Sequence, residues 1–113
     1  MNIRAWQAQL RKGAAELAVL AVLEREESYG LQILETIDRA GGLDVAEGSI
    51  YPLLNRLQKA GKLRSRWVED PGATHPRKYY SLTAEGRRTL HEMRVAWLRF
   101  RSGLDALLQE DSP

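Results

Sequence analysis

Apolar and polar positions change their period in an informative order along this chain. Residues 14–25 are apolar nearly all round. Leu17, Val19, Leu20, Val22 and Leu23 leave only a thin polar edge, which predicts a central, buried helix. Ahead of it, Lys12-Gly13 reads as a break that ends a short leading helix over 3–11. Ser28 is placed to cap a second helix over about 29–40, which would bury Leu31 or Ile33 together with Leu34 and Ile37 before Gly41-Gly42 stop it. A third helix over about 46–60 buries Ile50, Leu53, Leu54 and Leu57, and Gly61 supplies a left-handed stop. The period then becomes two. Leu63, Ser65 and Trp67 alternate with Arg64, Arg66 and Val68, a loop runs from Pro71-Gly72 through Pro76, and a second strand covers 77–82. Trp67 is expected in the core of this hairpin.

Thr83 is positioned to cap a last helix, with Glu85 near the positive end of its dipole. Along that helix Leu90, Met93, Trp97, Phe100, Leu104 and Leu107 recur at alternating steps of three and four, an a/d seam. Three helices and a hairpin already fill one core, so the seam calls for a partner, and a second copy of the chain is the expected one. Trp6 is expected to pack the leading helix onto the partner's last helix. The fold class is therefore mainly α with a small β-hairpin. Residues 1–83 form a winged helix-turn-helix unit, including the dimer-packing helix 3–11, and residues 84–110 form a dimerisation helix.

The third helix carries the candidate chemistry. At about 100° per residue its buried side centres on Ile50 and Leu57. The opposite side then presents Pro52, Asn55 and Lys59, flanked by Ser49, Tyr51 and Arg56. Ser49 stands near the helix start, where a hydroxyl and unbonded N–H groups can hold a phosphate. Tyr51 offers a hydroxyl to phosphate and a ring to thymine methyls, or else packs on the wing. Asn55 and Arg56 are suited to base edges in a major groove. Pro52 reads equally as a first-turn proline.

Charge sharpens this picture. Residues 1–46 hold five Lys/Arg against seven acids, whereas 55–81 hold seven against two, the footprint of a phosphate-contacting surface. In the second strand Arg77, Lys78 and Tyr79 extend it. With no cysteine there is no thiolate metal site or cysteine nucleophile, and His75 and His91 are not spaced as metal ligands. No enzyme activity, metal or cofactor is expected. No apolar run approaches the ~20 residues of a membrane span, and the N-terminus lacks a secretory signal, so a soluble cytoplasmic protein is expected. The rival reading is a winged-helix module that docks a protein, without DNA readout; it leaves the basic stretch unexplained.

Four stretches together resemble the PadR family of transcriptional regulators over nearly the whole chain. They are Lys12-Gly13, Ser28-Tyr29-Gly30-Leu31-Gln32-Ile33, residues Gly48 to Leu57, and residues Pro76 to Gly86. The resemblance implies a homodimeric repressor that binds double-stranded promoter DNA through a winged helix-turn-helix and dimerises through its terminal helix. It puts Ser49, Tyr51, Pro52 and Arg56 on the recognition helix and Lys78 with Tyr79 on the wing strand. Small members of the family bind planar aromatic effectors at the dimer centre, and the resemblance puts Trp97 at that level, beside Met93 and Phe100. A dry apolar interface is the other reading of those three residues. Two departures stand out: Ala46 replaces a frequent capping Ser, and the tip Gly72-Ala73-Thr74-His75 replaces a Gly-rich basic one.

Overall fold

The computed structural model describes residues 2–109. Its elements in order are α1 (Ile3–Arg25), β1 (Ser28–Tyr29), α2 (Gly30–Ala40), α3 (Glu47–Lys59), β2 (Leu63–Val68), β3 (Arg77–Leu82) and α4 (Ala84–Leu108). The expected break at Lys12-Gly13 does not occur. The leading helix and the buried helix are one 23-residue helix, capped by the Asn2 side chain, which accepts from the Arg4 N–H at 3.0 Å. A single interior glycine costs only ~1 kcal/mol relative to alanine. The neighbouring Ala14, Ala15, Glu16 and Leu17 are strong helix formers, so the helix runs through.

The start of α2 also differs from expectation. Ser28 does not cap the helix, because it is drawn into a strand opposite Tyr80, with Tyr29 opposite Tyr79. Its hydroxyl donates instead to the Glu26 carbonyl at 3.2 Å. The helix begins at Gly30, and Ile33, not Leu31, joins Leu34 and Ile37 in the core. The hairpin is thereby extended to a three-stranded antiparallel sheet of order β1-β3-β2.

The third helix and its stop are as expected. Gly61 adopts φ 78°, with its N–H donating to Gln58 O and the Lys62 N–H donating to Leu57 O, both at 3.0 Å. This arrangement satisfies the terminal carbonyls of α3. β2 and β3 pair from Leu63↔Leu82 to Val68↔Arg77. Leu63, Tyr80 and Leu82 close the core formed by Val19, Leu20 and Leu23 of α1, the apolar sides of α2 and α3, and Leu90 of α4.

α4 is fastened to the hairpin at one point. Thr83 Oγ1 accepts from the Gly86 N–H at 3.0 Å and donates to the Gly61 carbonyl at 2.6 Å, while the Thr83 N–H donates to Lys62 O at 3.1 Å. A Cβ on Gly86 would stand 2.1 Å from that same Lys62 oxygen, so only glycine permits the approach. Past Leu90 and Met93 the helix leaves its own core. Trp97 is 43% exposed, and Phe100, Leu104 and Leu107 also face outward.

Two glycines should therefore respond in opposite directions. Gly86→Ala is expected to cost about 2–3 kcal/mol of unfolding free energy, because backbone must move. Gly13→Ala, where an added Cβ meets nothing within 4 Å, should stabilise by roughly 0.5–1 kcal/mol. Urea unfolding of both variants checks the pair.

Candidate nucleic-acid interface

The outward side of α3 presents Ser49, Tyr51, Pro52, Asn55, Arg56 and Lys59, all exposed. Ala46, at the N-cap, makes no side-chain capping hydrogen bond. Pro52 lies in the second helical turn rather than the first, where its missing N–H leaves the Gly48 carbonyl without its helical donor. Gly48 is itself exposed beside these polar side chains.

Tyr51 packs against the start of α2. An added Cβ on Gly30 would lie 2.5 Å from Tyr51 Cε1 and 2.9 Å from its hydroxyl, so the phenol ring lies directly over the first residue of α2. The residue remains 48% exposed. Burial, with the Tyr51 hydroxyl nearby, pushes the Tyr80 phenol above its ordinary pKa. The Gly30–Tyr51 contact thus fixes how closely the two helices of the helix-turn-helix approach.

The wing has two unlike faces. Leu63, Ser65 and Trp67 share a face with Leu82, Tyr80 and Lys78. Trp67 is not in the hairpin core: it is 68% exposed, because the strands run beyond the last core residue before reaching it. The Lys78 ammonium stands 5.8 Å from the Trp67 ring centroid and 5.6 Å from that of Tyr80. On the opposite face Arg66 grips Glu27 with two hydrogen bonds, one of them at 2.8 Å. Arg77 lies 4.3 Å above the Tyr29 ring and pairs with Asp70 at 3.1 Å, and Tyr29 meets Tyr79 edge-on. Arg66 and Arg77 therefore have acidic partners within the chain. Among the described residues, Arg56, Lys59, Arg64 and Lys78 have none.

The seam residues gather against α1. Leu10, Gly13 and Leu17 with Met93, Trp97 and Phe100 line an apolar groove of about 460 Å³. The Trp97 and Phe100 rings stack at 6.0 Å. Trp6 is also exposed, one turn earlier on α1 than Leu10. Arg94 of α4 holds Glu24 of α1 at 2.6 Å, beside this groove's end of the helix pair. No helix among the described residues is long and apolar enough to cross a membrane.

Three helices around a sheet-based wing, with a polar recognition side on the third, define a winged helix-turn-helix. The family model for the transcriptional regulator PadR-like family matches residues 19–92, and the chain belongs to that family. A PadR family transcriptional regulator from Eggerthella lenta is 34% identical, with TM-score 0.80 over 96% of this chain and 94% of that one. The transcriptional regulator YqjI of Escherichia coli is 31% identical over 73% of this chain, a match that spans 38% of YqjI. Bacillus subtilis PadR, solved in complex with operator DNA, shares the fold at TM-score 0.64 and 22% identity, covering 88% of this chain and 49% of that one.

The ion pairs across the elements set an acid limb of stability. Hydrogen bonds from Arg94 and Arg66 hold the Glu24 and Glu27 carboxyls below their ordinary pKa. A depressed folded-state pKa stabilises above the unfolded value of 4.5, and the gain is lost as pH falls through the folded value. Thermal melts should therefore show the parent losing more stability on going from 4.5 to about pH 3 than the Glu24→Gln/Glu27→Gln variant loses.

Proposed function

We propose that the chain binds double-stranded promoter DNA as a homodimer and acts as a ligand-responsive repressor. The observation that carries the DNA reading is the exposed polar side of α3 lying beside a wing whose Lys78 and Arg64 have no acidic partner among the described residues. Asn55 and Arg56 are the base-edge readers. Ser49, Tyr51 and Lys59 contact phosphate or the thymine methyl, and Pro52 shapes the surface between them. Lys78 is the wing's phosphate contact. Arg77 and Tyr79 line its opposite face, and Arg77, at the tip end of β3, also holds the loop through Asp70. The operator complex of the Bacillus subtilis relative supports this assignment of partner.

The homodimer reading rests on α4. Trp97, Phe100, Leu104 and Leu107 form an apolar row too large for a monomer to leave in water, and Trp6 adds to it from α1. The same row supplies the ligand reading, since the Trp97–Phe100 stack and Met93 line an apolar groove that suits a planar aromatic molecule. Repression follows from the family likeness. Residues 2–83 then act as the DNA-binding unit and α4 as the dimerisation helix.

Genomic fragments recovered by the purified protein supply an operator. On it, Arg56→Ala and Tyr51→Ala should each lose about 1–3 kcal/mol per half-site, with the thermal melt nearly unchanged. Unaltered affinity in both would move the recognition surface elsewhere. A protein-docking module would instead show no duplex binding with the steep decline in rising salt that phosphate contacts impose, because an apolar protein interface is insensitive to salt.

Dimerisation is checked separately. Trp97→Glu/Phe100→Glu should sediment as a monomer while keeping its helical circular dichroism. Trp97→Leu, which retains an apolar seam, should stay dimeric and bind DNA but lose release by a planar aromatic compound such as ethidium or Hoechst dye, scored after subtracting dye binding to free duplex. A Trp97→Leu variant that responds like the parent would make Trp97 plain interface core.

A further inference from the structure

The continuity of α1 has a consequence for the surface beside the recognition helix. A groove of about 580 Å³ separates α1 from α3, with Arg11 and Lys12 on one wall and Ser49, Pro52 and Arg56 on the other; Asp44, on the connecting segment, also lines it. Arg4 precedes Arg11 by seven residues, which at about 100° per residue puts it on the same side of α1. Among the described residues none of these three cations takes part in an ion pair. The nearby acid on the same helix, Glu16, is engaged by Lys62 at 3.5 Å. Leu10, Gly13 and Leu17 face the other groove, toward α4, so covering the apolar row would leave Arg11 and Lys12 open.

We propose that this basic side of α1 is a second phosphate-contacting surface, which grips the DNA strand on the side of α3 away from the wing. The inference rests on the DNA reading above. With side chains, an α-helix is about 10–12 Å across, and the major groove of B-DNA is about 12 Å wide. A helix lying in that groove therefore has a phosphate backbone along each flank. Tyr51 marks one flank of α3, turned toward the start of α2, next to β1, which pairs with wing strand β3. Ser49 and Arg56 mark the other, turned toward α1. The wing supplies cations to the first flank only. Arg11 and Lys12, with Arg4 further along, supply the second, and the single carboxylate of Asp44 leaves the groove net positive.

The test uses the full-length protein and an end-labelled random-sequence duplex of about 30 base pairs, since non-specific binding reads phosphate contacts without base readout. Fluorescence anisotropy across a KCl series gives the slope of log K on log[KCl]. Each lost contact should reduce its magnitude by about 0.9. Arg11→Gln/Lys12→Gln should therefore lower it by about 1.8 per protomer, and Lys78→Gln, the wing control, by about 0.9. Arg11→Lys/Lys12→Arg, which keeps both charges, should retain the parent slope. A parent slope in Arg11→Gln/Lys12→Gln, with a reduced slope in Lys78→Gln, overturns this inference and leaves the DNA reading standing. Failure of the parent to bind duplex, or binding without salt dependence, overturns both. Where the double variant melts early, Lys12→Gln alone, at an exposed position, decides: a loss of about 0.9 supports the surface, and an unchanged slope removes it.

Discussion

The close approach of Gly86 to the Lys62 carbonyl is the constraint on which the arrangement of this molecule depends. Three chain ends meet there. α3 closes through the left-handed Gly61, β2 leaves from Lys62, and α4 begins at Thr83, whose hydroxyl bridges Gly61 O and Gly86 N–H. Lys62 also reaches Glu16 of α1. α3, the wing and α4 thus share one junction built of hydrogen bonds from the Thr83 hydroxyl and the local backbone and of a missing methyl group. Backbone contacts of this kind do not adjust by rotamer change, so these elements are positioned as one body.

The distribution of charge depends on the same packing. Counting cations along 55–81 overstates what the surface offers to a ligand, because Arg66 and Arg77 are held by Glu27 and Asp70. Glu27 lies far back in the chain, in the segment leading to β1, so its pairing with Arg66 has no sequence signature. The opposite error affects residues 1–46, whose net balance is negative. There Glu16 and Glu24 are occupied by Lys62 and Arg94, while Arg4, Arg11 and Lys12 lie along one side of α1, Arg4 and Lys12 exposed and Arg11 half-buried. Net charge over a segment is a poor guide to local field when long-range ion pairs redistribute it.

Much of the architecture was legible where the signal was periodic or stereochemical. Ile50, Leu53, Leu54 and Leu57 lie in the core and Asn55 and Lys59 outside it, as the 100° step requires. Gly61 takes its positive φ and Thr83 caps its helix through its side-chain hydroxyl. What escaped had no local signature. A two-residue strand has no period, so Ser28 looked like a helix cap until its pairing with Tyr80 was known. Trp67 alternates in register with Leu63, but alternation says which face a residue shares and not where the core beneath that face ends. Gly13 taken alone reads as a break, but the strong helix formers Ala14, Ala15, Glu16 and Leu17 carry α1 through it. On the candidate interface the exposed side of α3 followed from periodicity, whereas Gly30 beneath Tyr51 and the α1 wall of the groove needed tertiary contacts.

The junction also determines how a distant event at the seam would reach the recognition helix in a homodimer. Thirteen residues separate Ala84 from Trp97, a lever of about 20 Å at 1.5 Å per residue. A change of about 5° in the crossing of two α4 helices near Trp97 would carry each junction through about 2 Å, comparable with the helix shifts that switch many regulators. Because α3 and the wing move with the junction, that displacement would not dissipate in flexible linkage. In the proposed dimer on DNA it would alter the separation of the two α3 helices, whose target major grooves would lie one turn, or about 34 Å, apart. In the proposed switch, rigidity at Gly86 and an accessible apolar groove are complementary requirements: the first would transmit a rotation, and the second is where a ligand would generate one.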